Sequence, residues 1–188
     1  FIRHADALAS PPVGRVHARR GSCRTPVTMS AMQHVSGQAR AIQVLQTALV
    51  GGRPHHAYIF HGPVGVGKFT TAVAFAKVLL CHDQQTDLTG NIEACGTCES
   101  CRLLTGDSAH PDLHIITKEL AAVSSVTALR SRKQMNIPVD LLRELVVGGR
   151  SSDGRFHEAS AYKTSSMRHG KVFIIDEAEI MDAPGQNA

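Results

Sequence analysis

The stretch that decides the fold is Gly62-Pro63-Val64-Gly65-Val66-Gly67-Lys68-Phe69-Thr70. Its three glycines, Gly62, Gly65 and Gly67, let the backbone fold closely around a phosphate chain, and Lys68 adds a positive charge for the outer phosphates. A β-rich run, Ala57 to Phe60, precedes it, and a run of helix formers, Thr70 to Leu80, follows it. This strand, loop and helix order predicts a phosphate-binding loop; the alternative is a glycine-rich turn that happens to precede a lysine.

Position 69 departs from the usual form of such a loop. A Ser or Thr after the lysine normally supplies a hydroxyl to magnesium, and Phe69 has no oxygen to offer. Thr70 lies about 100° further around the helix, so it can reach a phosphate but does not point in the same direction. The sequence therefore predicts binding of ATP or ADP through the three glycines, Lys68 and Thr70, and puts magnesium binding and hydrolysis in doubt.

A second motif is the apolar run Lys171 to Ile175, which ends in Asp176 and Glu177. A continuous apolar run suits a parallel strand that is buried on both faces. A carboxylate at the end of such a strand, beside a phosphate loop, can hold the magnesium shell, and the next one can polarise a water molecule. Asp176 and Glu177 are the candidate catalytic residues, although two acids after a strand are also a common solvated strand end.

Four cysteines form the third motif, with the last three spaced as C-x2-C-x2-C: Cys81, Cys95, Cys98 and Cys101. Two-residue gaps let a tight turn present neighbouring sulfurs to one ion, so the pattern predicts a structural zinc site. An iron–sulfur cluster uses similar spacing, and free thiols are the remaining alternative. His82 is a rival ligand to Cys81, and Cys23 lies apart from the set.

The charge of the chain is uneven. Residues 1–28 hold five arginines and one acid, and this segment accounts for the whole net charge of +4. The basic pI is therefore no argument for nucleic-acid binding by the rest of the chain. Residues 1–28 show no period and no secretion signal, so we expect a disordered leader, either an upstream misassignment of the start at Met29 or an organelle transit peptide.

The rest of the chain reads as an α/β protein. The segment from Gly37 to Gly51 has the apolar spacing of an amphipathic helix, Leu113 to Ile116 is a candidate strand, and Val139 to Val147 has helical spacing. Strands that alternate with helices predict a parallel sheet. Residues 148–170 are rich in glycine and serine, and we expect a mobile loop there.

No run approaches the roughly 18 apolar residues of a membrane span, and clustered thiols without an export signal favour the cytoplasm.

Taken together, these motifs resemble the clamp-loader subunits of bacterial DNA polymerase III, members of the AAA+ group of P-loop proteins. The resemblance rests on residues 35–38, 56–60 and 65–68, the cysteine set, and residues 171–179. It implies that residues 29–188 form the N-terminal part of an AAA+ nucleotide-binding domain, truncated at its end, with a parallel sheet flanked by helices and a zinc module inserted at residues 81–101. Within the family, His110-Pro111-Asp112-Leu113 and Asp176 to Met181 favour the delta-prime type over the gamma/tau type.

The resemblance also implies a function. A clamp-loader subunit works in a pentameric hetero-oligomer that loads the ring-shaped sliding clamp onto primed DNA, and delta-prime subunits often have degraded ATP sites, which agrees with Phe69. We therefore expect ATP binding with weak or no hydrolysis. The alternatives are a gamma/tau motor ATPase of the same complex and a zinc interaction module with a vestigial P-loop.

Overall fold

The computed structural model describes residues 2–5, 32, 35–105, 109–131 and 135–187, with the backbone alone for residues 2–5. The strands and α-helices are β1 (Ile2–Ala5), α1 (Ala39–Val50), β2 (Ala57–Tyr58), α2 (Lys68–Leu79), β3 (Gln85–Thr86), β4 (Ile92–Glu93), α3 (Glu99–Thr105), β5 (Leu113–Ile116), α4 (Thr127–Arg130), α5 (Val139–Leu142), β6 (Gly149–Arg150), β7 (Phe156–His157), β8 (Lys171–Ile175) and α6 (Ala183–Gln186).

The main sheet has the order β2-β1-β8-β5. Strands β5 and β8 pair in parallel, with Leu113 opposite Val172 and Ile116 opposite Ile175. Strand β1 is antiparallel to both β2 and β8. The predicted parallel sheet is thus only partly correct, because four residues of the leader lie between β2 and β8 and make the sheet mixed. Residues 1 and 6–28, the rest of the expected disordered leader, lie outside the described residues.

Two helices cover one face of this sheet, as their sequences predict. In α1, Leu45 and Leu49 are buried one helical turn apart. Helix α2 is apolar on most sides, and Phe75 and Val78 are wholly buried in it. Both helices pack with Val172 and Ile174 of β8 in one core.

The other face of β8 contributes to a second core. Because successive strand residues point to opposite faces, Phe173 lies opposite to Val172 and Ile174. It packs with Ile116 of β5 and with Leu141 and Leu142 of α5. Residues 171–174 are all buried, which confirms the prediction of a strand covered on both faces.

Between β5 and β8, the secondary-structure elements are shorter and more irregular than the sequence predicted. The segment predicted to be helical over residues 139–147 is α-helical for only its first four residues, α5. Its remaining residues, Arg143–Val147, form a π-helical turn. The expected mobile loop contains the hairpin β6–β7 and a 3-10 turn, Ser160–Tyr162. The Asp112 carboxylate accepts hydrogen bonds from the amides of Ser166 and Met167 at 2.7 and 2.8 Å, which fixes the end of that loop to the start of β5. Its mobility stays a prediction.

Within the described part of the chain, no helix has the length and apolar character needed to cross a bilayer.

Candidate functional site

The glycine loop joins β2 to α2, as the sequence predicts. Gly65 and Gly67 adopt φ values of 84° and 88° in the left-handed region, where a side chain would be strained. Gly67 is the N-cap of α2, so the first amides of that helix are directed into the loop. The Lys68 ammonium donates to the carbonyl oxygens of Gly62 and Pro63 at 2.8 and 3.0 Å, so the loop folds around its own lysine.

The two residues after Lys68 point in different directions. Phe69 is 40% exposed and lines a cavity of about 610 Å³ in front of the loop. Thr70 is exposed and lies outside the described lining of this cavity, although its hydroxyl was the predicted phosphate contact. Thr71, which the sequence analysis did not single out, is buried and donates its hydroxyl to Gly67 O at 2.8 Å. That hydroxyl is committed to the helix start.

The predicted acids line the same cavity. Asp176 and Glu177 directly follow β8 and line the cavity together with Gly62 and Lys68. The amide of Asp176 donates to Ile116 O at 3.0 Å, so Asp176 continues the strand pairing to the sheet edge. The tertiary structure therefore brings the phosphate loop and both candidate catalytic acids together.

Glu177 has a partner that the sequence did not reveal. Its φ of 50° is unusual for a residue with a side chain, and its carboxylate lies 2.6 Å from the ammonium of Lys118, just after β5. The hydrogen bond and the charge of Glu177 raise the pKa of Lys118. This ion pair keeps the Glu177 carboxylate close to Lys118, which follows the end of β5.

A second cavity, of about 480 Å³, adjoins the first. Its walls come from α1, β2 and the loop, and Lys68 borders both cavities. The apolar part of its lining is formed by Ala41, Val44, Leu45, Tyr58, Ile59, Phe60 and Val66. Gln38 at the start of α1 donates its side-chain amide to Val66 O at 3.1 Å, which joins the helix to the loop.

The four predicted metal ligands meet in one cluster at the end of α2. Their sulfurs lie within 4.8 Å of one another, and the distances from Cys81 to Cys95, from Cys81 to Cys98 and from Cys95 to Cys101 are 3.6, 3.9 and 4.0 Å. Tetrahedral coordination with metal–sulfur bonds of 2.3 Å requires sulfurs about 3.8 Å apart. These three distances are close to that value, so the cluster could hold a metal ion of zinc size. His82 lies outside it and stacks on His169, with ring centroids 4.5 Å apart.

Backbone amides donate hydrogen bonds that stabilise the thiolate form of three of these sulfurs. The amides of Cys95, Cys98 and Cys101 donate to the sulfurs of Cys81, Cys95 and Cys98 at 3.3, 3.3 and 3.4 Å. Burial opposes ionisation of Cys95, but hydrogen bonds from Thr97, Cys98 and Cys81 outweigh it and lower its pKa to about 6. Burial raises the pKa of Cys81 and Cys101. The cluster thus holds thiols that need a cation to ionise together, since metal binding releases their protons.

A buried polar group connects this cluster to the sheet. Ser100, between two of the cysteines, donates its hydroxyl to Leu80 O at 2.7 Å. The same hydroxyl lies 2.9 Å from His110 Nε2, while His110 Nδ1 accepts from the amide of Asp112 at 3.1 Å. These bonds are mutually consistent when His110 is neutral and protonated at Nε2, and burial lowers its pKa accordingly. In the sequence, His110 and Asp112 contributed only to the resemblance, and no spacing indicated this hydrogen-bonded chain.

Known proteins resemble the chain over most of its length. A family model described as DNA polymerase III, delta subunit, matches residues 37–188. DNA polymerase III subunit delta' of Pseudomonas aeruginosa is 31% identical over 147 residues, which is 78% of this chain and 36% of the relative. Subunit delta' of Bacillus subtilis is 24% identical over 151 residues, 80% of this chain and 36% of the relative. Subunit gamma/tau of Mycobacterium tuberculosis is 30% identical over 159 residues, 85% of this chain and 22% of the relative.

The chain thus spans about a third of the length of the delta' relatives and less of gamma/tau. A search of solved structures returned no match. The family model covers the glycine loop, the acidic strand end and the cysteine cluster, which form the cavity and the sulfur site at opposite ends of α2. The chain belongs to the DNA polymerase III delta-subunit family.

Proposed function

We propose that this chain is the nucleotide-binding part of a clamp-loader subunit of bacterial DNA polymerase III, built on an AAA+ domain. In this role it binds ATP or ADP, assembles with other clamp-loader subunits in the cytoplasm, and helps to load the sliding clamp onto primed DNA. The observation that carries the proposal is the single cavity shared by Lys68 of the glycine loop and Asp176 at the end of β8. The family match supports the biological setting.

The two cavities suggest how a nucleotide lies. The phosphates belong in front of the loop, where the amides at the start of α2 and the Lys68 ammonium supply positive charge. The second cavity has an apolar lining suited to a base, and Lys68 borders both. The lysine exchanges its bonds to Gly62 O and Pro63 O for bonds to phosphate oxygens when the nucleotide enters.

Hydrolysis is proposed to be weak or absent. Phe69 replaces a hydroxyl ligand of magnesium and faces the cavity. Glu177, the candidate for polarising water, is paired with Lys118. A delta-prime role, in which the site binds nucleotide without turnover, agrees with both features.

A gamma/tau motor subunit is the second candidate, because Asp176 and Glu177 are both present at the cavity and a gamma/tau relative matches 85% of the chain. Turnover separates the two roles. A delta-prime role predicts ATP binding without measurable turnover in a reconstituted clamp loader, whereas a motor role predicts turnover that Lys68→Ala eliminates.

The cysteine cluster is proposed to hold one structural zinc ion. All four positions of a tetrahedral site are supplied by protein sulfurs, so none is left for a catalytic water. The zinc would fix the hairpin β3–β4 and α3 to the end of α2.

Titration with a fluorescent ATP analogue tests the nucleotide site. We expect saturable binding that changes little with magnesium, and loss of binding in Lys68→Ala. Lys77→Ala, a change of another lysine in α2, is the matched control and should bind like the wild type. Equal binding by wild type and Lys68→Ala would refute the proposed site and leave a zinc interaction module with a vestigial loop.

A further inference from the structure

Helix α1 contains a buried glutamine that directly contacts residues 81–101, the segment that holds the four cysteines and is called the cysteine module below. Gln46 is only 4% exposed, and its side-chain amide pairs with the backbone of Ile92 in β4. Its nitrogen donates to Ile92 O at 3.0 Å and its oxygen accepts from the amide of Ile92 at 2.8 Å. The nitrogen also lies 3.4 Å from the sulfur of Met32. The side chain therefore acts as an added strand edge that fixes β4 against α1.

The same helix is bonded to the glycine loop at its other end. Gln38, the N-cap of α1, donates to Val66 O. Gln38 and Gln46 are separated by about 12 Å along the helix at 1.5 Å per residue. Leu45, next to Gln46, lines the second cavity. One rigid helix thus contacts the loop, the cavity proposed for the base, and the cysteine module.

Helix α2 makes the second connection. It begins at Lys68 and ends at Leu79, two residues before Cys81. Its end is held by the module, because Ser100 donates to Leu80 O. The two helices belong to one core, so a displacement of either end is transmitted through packed side chains and not absorbed by a flexible joint.

From these contacts we propose that nucleotide at the glycine loop and metal at the cysteine cluster bind cooperatively, and that Gln46 is the residue that couples the two sites. The inference rests on the proposed function, since it requires a nucleotide at the loop. Gln46 is a positioning residue, because it touches neither ligand. Metal holds β4 in place, β4 holds α1 through Gln46, and α1 closes the second cavity.

Coupling of this kind is reciprocal. If zinc strengthens ATP binding by some factor, ATP must strengthen zinc binding by the same factor. The coupling should reach roughly fivefold or more, the lower end of the usual range for two linked sites. A purely structural role for Gln46 would weaken zinc binding in the same proportion with and without nucleotide, and would leave the ratio unchanged.

The experiment measures four dissociation constants on the whole chain: the fluorescent ATP analogue with zinc-loaded and zinc-free protein, and zinc against a competing chelator with and without ATP. We expect both ratios to be roughly fivefold or more in the wild type and near one in Gln46→Leu, which keeps the size of the side chain and removes both hydrogen bonds. Gln43→Leu, an exposed change on the same helix, is the matched control and should keep the wild-type ratios.

Gln46→Glu is the second variant, because it retains the acceptor for the Ile92 amide and replaces the donor by a carboxylate oxygen. It should give an intermediate ratio, and it serves if Gln46→Leu does not fold. A wild-type ratio of one, or an unchanged ratio in a folded Gln46 variant, would overturn the coupling and leave the nucleotide site intact. Absence of ATP binding to zinc-loaded wild type would refute the proposed function, and the coupling with it.

Discussion

At the scale of single residues, Phe69 decides what the phosphate loop can do. A side chain without oxygen stands where a magnesium ligand is expected, and it faces the cavity that Asp176 shares. Thr70, at the next position, is exposed and does not line this cavity. In the proposed site, this residue separates phosphate binding, which would depend on the backbone and Lys68, from metal-assisted chemistry, which would depend on a hydroxyl. That residue is Phe69.

The first prediction restores that hydroxyl. In Phe69→Thr we expect magnesium to tighten ATP binding by roughly tenfold, which corresponds to about 1.4 kcal/mol of binding free energy. Phe69→Val has nearly the same shape as the threonine variant without the oxygen and should show no magnesium effect. Titration of each variant with fluorescent ATP, with and without magnesium, measures the difference. An equal magnesium effect in both variants would show that the bulk of Phe69, and not the missing oxygen, sets the behaviour of the site.

A second residue-scale prediction concerns His114 in β5. Its ring stacks on Phe173 at a centroid distance of 4.7 Å, and its Nε2 is buried without a hydrogen-bond partner among the described residues. Burial, followed by the charge of Lys171, lowers the pKa of His114 in the folded state. The unfolded chain, with a histidine pKa of about 6.5, takes up protons first as the pH falls. Stability should therefore decrease as the pH drops below about 6.5.

His114→Phe removes that proton uptake and keeps the aromatic contact. Urea unfolding at pH 7.5 and pH 5.5 should show a smaller loss of unfolding free energy in His114→Phe than in the wild type. Some loss will remain, because burial also lowers the pKa of His110 and His169. His55→Phe changes an exposed histidine and is the control. An identical pH dependence in wild type and His114→Phe would contradict the assignment.

At the scale of elements, the cysteine module is a small unit that the rest of the fold holds at several points. The hairpin β3–β4 has only two residues in each strand, and the turn that closes it is held by the carboxylate of Asp87, which accepts from the amides of Thr89 and Asn91. A hairpin of this size has little stability of its own. Its fixed position depends on the sulfur cluster and on Gln46.

The third prediction is the metal content of this module. Purified protein should carry about one zinc per chain, and replacement of any one of Cys81, Cys95, Cys98 and Cys101 by Ser should remove it, because structural zinc needs four protein ligands. Cys23→Ser is the control, since Cys23 is separated in sequence from the C-x2-C-x2-C set and was not predicted to be a ligand. Elemental analysis and release of zinc to a colorimetric chelator measure the content. Iron accompanied by a visible absorption band would contradict zinc.

At the scale of the whole molecule, β8 joins two cores. Val172 and Ile174 pack with α1 and α2, and Phe173 packs with β5 and α5 on the other face. The strand also positions Asp176 at the phosphate cavity. The proposed nucleotide site is therefore supported by both faces of the sheet, and a destabilised core on either face should affect it.

The fourth prediction tests this dependence. Phe173→Ala removes a fully buried ring and should cost about 3–5 kcal/mol of unfolding free energy. Tyr58 lies in the other core, with its ring 5.0 Å from that of Phe75, and its fluorescence reports on that side. Tyr162→Phe is introduced in all proteins, so that Tyr58 is the one remaining tyrosine. In Phe173→Ala we expect the unfolding transitions seen by Tyr58 fluorescence and by far-UV circular dichroism to shift together. Phe156→Ala changes an exposed ring and should alter stability by less than about 0.5 kcal/mol. A Tyr58 transition that stays in place in Phe173→Ala would show two independent units.

The sequence by itself determined the local parts of this protein. The glycine loop, α1, α2, β5, β8 and the four-cysteine set are confirmed by the structure, because each depends on contacts between neighbours along the chain or on a short spacing. The parallel pairing of β5 and β8 also followed from the alternation of strands and helices. The family could be assigned from the same motifs, and the family model agrees.

Only the tertiary structure decided how these parts meet. The Lys118–Glu177 pair joins residues 59 positions apart, the bond from Gln46 to Ile92 spans 46, and Asp112 holds Ser166 across 54. No periodicity encodes such contacts, because periodicity reports which face of an element is apolar and not which polar group lies opposite it. The antiparallel β1 could not be predicted either. A four-residue strand takes its place by pairing with unpaired backbone groups of its neighbours, and these exist only after β2 and β8 are in position.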